Sequence, residues 1–164
     1  MKSQAYFEKI HKHIESNLKT SKTSIRIAVA WFTDAKLFSI LCEKAKEGIQ
    51  VELLMANHEI NHDSNLKYRE LINNGGKIFW IGKEGAYAPL MHNKFCIIDN
   101  SILIFGSYNW TQKAKSNHES ITVIEEDNNL ILDFNQEFDK IKNKYYNSNA
   151  EIDWMKIVIR LETL

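Results

Sequence analysis

Short β-branched runs alternate along the chain with stretches whose apolar residues recur three and four positions apart. Ser24 to Phe32 (SIRIAVAWF) is the kind of run that fills a strand buried on both faces, and Thr33-Asp34 then offers a helix cap. Leu37, Ile40, Leu41 and Ala45 keep one helical face apolar until Gly48, after which Ile49 to Ala56 reads as a second buried strand. Strand, helix, strand predicts a parallel βαβ unit. Asp63 or Ser64 is expected to cap another helix through Leu66, Arg69, Glu70 and Leu71, closed by Asn74-Gly75-Gly76, before a third strand from Lys77 to Ile81.

A loop from Gly82 to Leu90 holds the only proline and leads to Met91–Ile98, a polar break, and then Ile102–Trp110, the pattern of an antiparallel hairpin. Glu119 to Glu125 is one more strand, and Asn128 to Tyr145 carries Leu130, Ile131, Phe134, Phe138 and Ile141 at helical spacing. With neither a linker nor an internal repeat, the expected fold is α/β, a mixed β-sheet flanked by helices in a single domain. Residues 1–23, with Phe7, Ile10, Ile14 and Leu18 at helical spacing, are expected to form an amphipathic helix packed on that domain, which spans residues 24–146. Residues 147–164 form an extension in which Trp154, Ile157, Val158 and Leu161 suit an amphipathic helix or a strand, docked on the domain or contacting a partner.

Composition narrows the function classes. At 164 residues and 44% hydrophobic content the chain supports one core, and 21 basic against 21 acidic residues give none of the cationic excess common in nucleic-acid-binding domains. A local basic cleft stays compatible with that balance. The two cysteines, Cys42 and Cys96, lie in apolar segments without CxxC spacing, and the N-terminus lacks a signal peptide's apolar stretch, so a reducing, cytoplasmic location is expected. No run of about eighteen apolar residues suits a membrane span, which leaves only peripheral membrane contact.

The hairpin carries the chemistry. With a two-residue turn at Asn100-Ser101, facing positions sum to 201, so His92 lies opposite Asn109 and Lys94 opposite Ser107, all on one face. Phe95, Ile97 and Ile104 are then expected on the core side, with Gly106 giving room for a close approach. An imidazole, an ammonium, a hydroxyl and an amide in one patch suit a phosphate: Lys94 brings charge, Ser107 and Asn109 bring donors, and His92 can act as nucleophile or acid-base group.

His92-Asn93-Lys94, four residues, Asp99, six residues, then Gly106-Ser107-Tyr108-Asn109 resembles the HKD signature of the phospholipase D superfamily at every signature position. The resemblance extends over about Ser24 to Tyr145, with Glu119 similar to the family's later acidic residue. It implies that His92 attacks phosphorus to give a covalent phosphohistidine while a second such histidine serves the leaving oxygen and then water. It also implies that Lys94 and Asn109 hold nonbridging oxygens with a smaller contribution from Ser107, and that Glu119 orients the imidazole. No metal or other cofactor is implied. A single motif resembles the small bacterial endonucleases and the mitochondrial cardiolipin hydrolase group, so a twofold homodimer with a shared active site is expected. Asp99, placed at the turn, takes a structural role.

The expected activity is thus a metal-independent phosphodiesterase, first a nuclease on DNA or RNA, with a phospholipase or cardiolipin-type hydrolase as the alternative and a noncatalytic binding or scaffold protein as a third class. Tyr87 could stack on a base, and Lys113 and Lys115 could hold a backbone phosphate. His58-Glu59-Ile60-Asn61-His62 fits the zinc-peptidase pattern HExxH, but it follows a strand in a polar stretch without a clear third ligand, so it reads as a polar loop bordering the cleft. His11 and His13 are expected to face solvent, His118 could neighbour the site, and Trp110 is expected in the core.

Overall fold

Aliphatic residues on both faces of the central strands need cover on both sides, and the chain supplies it with helices on each side of one sheet. The structure is a computed structural model and describes residues 1–82 and 90–146. Seven strands lie in the order β1-β7-β6-β5-β2-β3-β4. They are β1 (Lys2–Tyr6), β2 (Ser24–Val29), β3 (Gln50–Ala56), β4 (Lys77–Ile81), β5 (Lys94–Ile98), β6 (Ile102–Gly106) and β7 (Ile121–Glu125). β2, β3 and β4 run parallel, while β5 pairs antiparallel with β2 and begins the antiparallel half of the sheet.

The helices are α1 (Ile10–Thr20), α2 (Ala35–Lys46), α3 (Glu59–His62), α4 (Tyr68–Asn73) and α5 (Asn128–Tyr145). Strand alternation sends Ile25, Ile27 and Val29 of β2 into one core layer with Ile14 and Leu18 of α1, Leu41 of α2 and Leu71 of α4. Ala28 faces the other layer, where Leu54, Phe79, Phe95, Ile97 and Leu103 meet Ile131 and Phe138 of α5. Arg26 also projects to that side and is held by Asp139 at 2.7 Å and by Glu52 at 3.3 Å. Asp34 caps α2 by accepting from the backbone N–H groups of Lys36 and Leu37.

The first 23 residues depart from the single helix that the sequence predicts. Lys2–Tyr6 forms an edge strand on β7, and Phe7, expected on the helix's apolar face, is 70% exposed. The strand's residues are mostly exposed, so no apolar alternation announces it. The helix expected from Asp63 or Ser64 starts later, as α4 at Tyr68, and the stretch before it, read as a loop, forms the short helix α3. His11 and His13 are half-buried rather than solvent-facing, and His13 stacks on Tyr6 with ring centres 3.7 Å apart. Residues 147–164 lie outside the described residues.

The hairpin register also differs by one. Phe95 pairs with Phe105, Cys96 with Ile104 and Ile98 with Ile102, so partners sum to 200. Three residues, not two, make the loop, and Asp99 and Asn100 both take positive φ there. Ile104 therefore shares a face with Cys96, opposite to Phe95 and Ile97.

Candidate active site

Parallel strands β2 and β3 end where antiparallel β5 begins, where β6 ends and where β7 begins, so the chain segments leaving these strands gather at one end of the sheet. That end receives the signature residues other than Asp99. His92 and Asn93 enter β5, and the Asn93 carbonyl accepts the Ala30 N–H just past β2 at 2.9 Å. Ser107, Tyr108 and Asn109 leave β6, and Trp110 donates its backbone N–H to the Trp31 carbonyl at 3.0 Å. His92, Ser107 and Asn109 thus lie past the same end of the hairpin ladder, where the strands have stopped pairing, rather than facing each other across it as the two-residue turn required.

Gly106 makes the crowding possible. A Cβ at this position would lie 2.1 Å from the Ser120 carbonyl oxygen and 2.8 Å from the Ile121 Cα, so only glycine lets β6 and β7 close here. The same approach sets Ser107 beside Glu119: the Ser107 hydroxyl donates to Glu119 Oε2 and accepts from the Ser120 N–H at 3.1 Å. Asn117 Nδ2 reaches the other Glu119 oxygen at 3.4 Å. The Glu119 carboxylate is therefore turned to Ser107, and within one chain it does not take the expected place behind His92.

The His92 imidazole is exposed and makes no hydrogen bond among the described residues; its one ring neighbour is Trp31, edge-on at 5.7 Å and 76°. Partial burial, and then the neighbouring Lys94 cation, hold its pKa below the ordinary value, which favours the neutral ring. Burial also lowers Lys94, with the Glu119 carboxylate opposing, and its Nζ donates to the His92 carbonyl at 2.6 Å. Asn109 is half-buried, and among the described residues its buried Oδ1 has no partner. So the site offers an unbound imidazole and, two residues along, a cation, while Asn109 would meet an anionic phosphorus centre through its Nδ2 donor.

Other expected residues fall elsewhere. Asp99 is at the opposite end of the hairpin, where its carboxylate accepts from the backbone N–H groups of Lys22, Thr23 and Ser24 and from the Thr23 hydroxyl, all at 2.8–2.9 Å. Lys115 is 2.7 Å from Asp34 Oδ2, a buried carboxylate, which draws the amine away from a substrate role. Lys113 and His118 are exposed, Trp110 packs on Phe32 with ring centres 5.2 Å apart, and Tyr87 lies outside the described residues.

Three residues next to the site were not singled out in the sequence. Tyr108 is buried, its hydroxyl has no partner among the described residues, and burial, followed by the Asp34 and Glu119 carboxylates, pushes its pKa up. Trp31 sits against His92. Asn61, fully buried, donates to the Ala30 and Ala56 carbonyls and accepts from the Phe32 N–H, all at 2.8 Å, and so clamps the ends of β2 and β3 on either side of Trp31. His58 caps α3, His62 Nε2 lies 2.7 Å from Asn57 Oδ1, and among the described residues no three His, Cys, Asp or Glu side chains form a metal-holding cluster.

With this geometry in view, comparison with known proteins gives one family. Residues 14–142 match the family model described as cardiolipin synthase, PLD-like domain. The chain belongs to this phospholipase D-like family, within the superfamily of PLD-like phosphodiesterases. A mitochondrial cardiolipin hydrolase from Chlamydomonas reinhardtii is 32% identical over 127 residues, covering 76% of this chain and 53% of that protein. The chain thus spans about half the length of that relative. Among solved structures, the phospholipase D family member Nuc from Salmonella typhimurium superposes with a TM-score of 0.73 at 23% identity, covering 87% of this chain and 94% of Nuc. NucT from Helicobacter pylori gives 0.71 at 24% identity, covering 85% and 94%. The mixed seven-stranded sheet is the fold they share.

Proposed function

We propose that this chain is a metal-independent phosphodiesterase that cleaves DNA or RNA through a covalent phosphohistidine at His92. The observation that carries the reading is the meeting of His92 with Lys94 and of Ser107 with Glu119 at one end of the sheet. Neutral His92 attacks phosphorus, an N–P bond forms and the P–O bond to the leaving group breaks. The departing oxygen needs a proton at that moment, and the chain holds one such signature, so the donor is His92 of the partner subunit in a twofold homodimer. That imidazole then takes a proton from water, which displaces His92 and releases the phosphate monoester. Lys94 and Asn109 hold the nonbridging oxygens, where fixed donors favour the charge that develops in the transition state.

Nucleic acid is the favoured substrate because the chain next to the site is polar. A groove that runs from His62 to Asn74 starts beside the end of β3; most of its side chains are polar, and its two cations, Lys67 and Arg69, are balanced by the carboxylates of Asp63 and Glu70. A second reading, a cardiolipin-type hydrolase, draws on the curated relative and on two exposed apolar residues at the site's end of the sheet, Ile60 (39%) and Leu90 (45%). Single-stranded and duplex DNA, RNA and cardiolipin vesicles, each incubated with the protein in EDTA, test both. Cleavage of nucleic acid is expected; hydrolysis of cardiolipin alone would favour the second reading, and activity lost in EDTA and restored by zinc would overturn the mechanism.

A further inference from the structure

His58 belongs to the one sequence motif that the site has not absorbed, and its surroundings give it a use. It leaves β3 at the end of the sheet that carries His92, and both imidazoles lean on the same indole: Trp31 is 6.2 Å from the His58 ring centre and 5.7 Å from that of His92. That indole does not drift, because Asn61 grips the backbone on both sides of it. His58 Nδ1 accepts the Ile60 N–H at 3.2 Å, so the neutral ring carries its proton on Nε2. Among the described residues Nε2 has no partner, and the buried Trp31 Nε1 has none either. A ring N–H donor without an acceptor, on a half-buried histidine that leans on the indole, is an arrangement a ligand oxygen would complete.

We propose that His58, with Trp31 as the wall between, binds the backbone phosphate next to the one attacked by His92. The proposal rests on the phosphodiesterase reading and sharpens its substrate to a chain with more than one phosphate. A donor at this place gains little from an isolated phosphodiester. It gains a charge-assisted bond from a polymer whose neighbouring phosphate reaches the indole's far neighbour.

The test uses His58→Asn, since asparagine is among the preferred caps and keeps an acceptor for the Ile60 N–H while removing the imidazole. Binding of thymidylyl-thymidine, and of the same dinucleotide phosphorylated at either end, is measured by calorimetry in the His92→Ala background, so that no substrate is consumed. The phosphorylated form is expected to bind more tightly, and His58→Asn is expected to reduce the ratio of the two affinities about tenfold. An unchanged ratio would overturn the proposal, as would an effect confined to cardiolipin vesicles run in parallel. Hydrolysis of the unphosphorylated dinucleotide by the unmodified protein reports separately on the phosphodiesterase reading.

Discussion

The Nζ of Lys115 lies 2.7 Å from Oδ2 of Asp34, whose side chain is 1% exposed, while the other carboxylate oxygen caps α2. Removing the amine would leave a buried carboxylate with only half its partners. Lys115→Ala should therefore destabilise the fold by about 1–3 kcal/mol, the lower part of the range for a broken buried pair because the lysine itself is partly exposed. Denaturant melts read that cost, and substrate KM should be unchanged. A raised KM without loss of stability would return Lys115 to the substrate-binding role that the sequence suggested.

Asp99 ties the hairpin turn to the start of β2. Burial raises its pKa, but the N–H groups of Ser24, Thr23 and Lys22 and the Thr23 hydroxyl together outweigh that, so the net shift is downward. A depressed carboxylate contributes stability that is present above its unfolded value near 3.9 and is lost as pH falls through the folded value. Asp99→Ala should cost about 1–2 kcal/mol at pH 7, given solvent screening. The gap between variant and parent should narrow below about pH 4. A gap constant from pH 7 to pH 2 would show that the charge contributes nothing.

Gly106→Ala tests the close approach that places Ser107 beside Glu119. The added methyl collides with backbone of β7, which cannot swing aside as a side chain would. A loss of about 2–3 kcal/mol or more is expected on thermal unfolding, together with lower activity in whatever folds. A variant as stable and active as the parent would mean that the two strands sit farther apart.

Activity should rise with pH as the attacking His92 becomes neutral, and fall again as the donor imidazole of the partner subunit loses its proton. Burial and Lys94 both lower its pKa, so the acid limb of kcat/KM should have its midpoint below the ordinary histidine value of about 6.5. Lys94→Met removes the second cause and should move that midpoint upward while reducing the rate. A parent midpoint above 6.5, or one that Lys94→Met shifts downward, would contradict this placement of the two groups.

Much of the fold was legible because burial on both faces writes itself as β-branched runs: β2, β3 and β4 fall within their predicted segments, and α5 spans its predicted residues. β1 was invisible because a mostly exposed edge strand has no core to encode. The hairpin was found, but its register depended on whether Asp99 entered the loop, and positive φ at both Asp99 and Asn100 is a backbone outcome that alternation does not reveal. The spacing from His92 to Asn109 pointed to the site because both strand ends reach it whichever register holds. Asn61 and Trp31 were missed for the opposite reason, since their importance lies in backbone groups brought together by β2 and β3.

The nucleophile is the centre of the account, and it can be caught. Protein mixed with oligonucleotide in EDTA, quenched in alkali to preserve an N–P bond and digested, should yield the His92 peptide carrying a nucleotide-phosphate mass increment. Because the exposed His92 side chain makes no hydrogen bond among the described residues, His92→Ala should keep the fold, lose the adduct and lose at least about a thousandfold in rate. Cleavage that proceeds at the parent rate in His92→Ala, or an adduct on any other residue, would contradict the assignment.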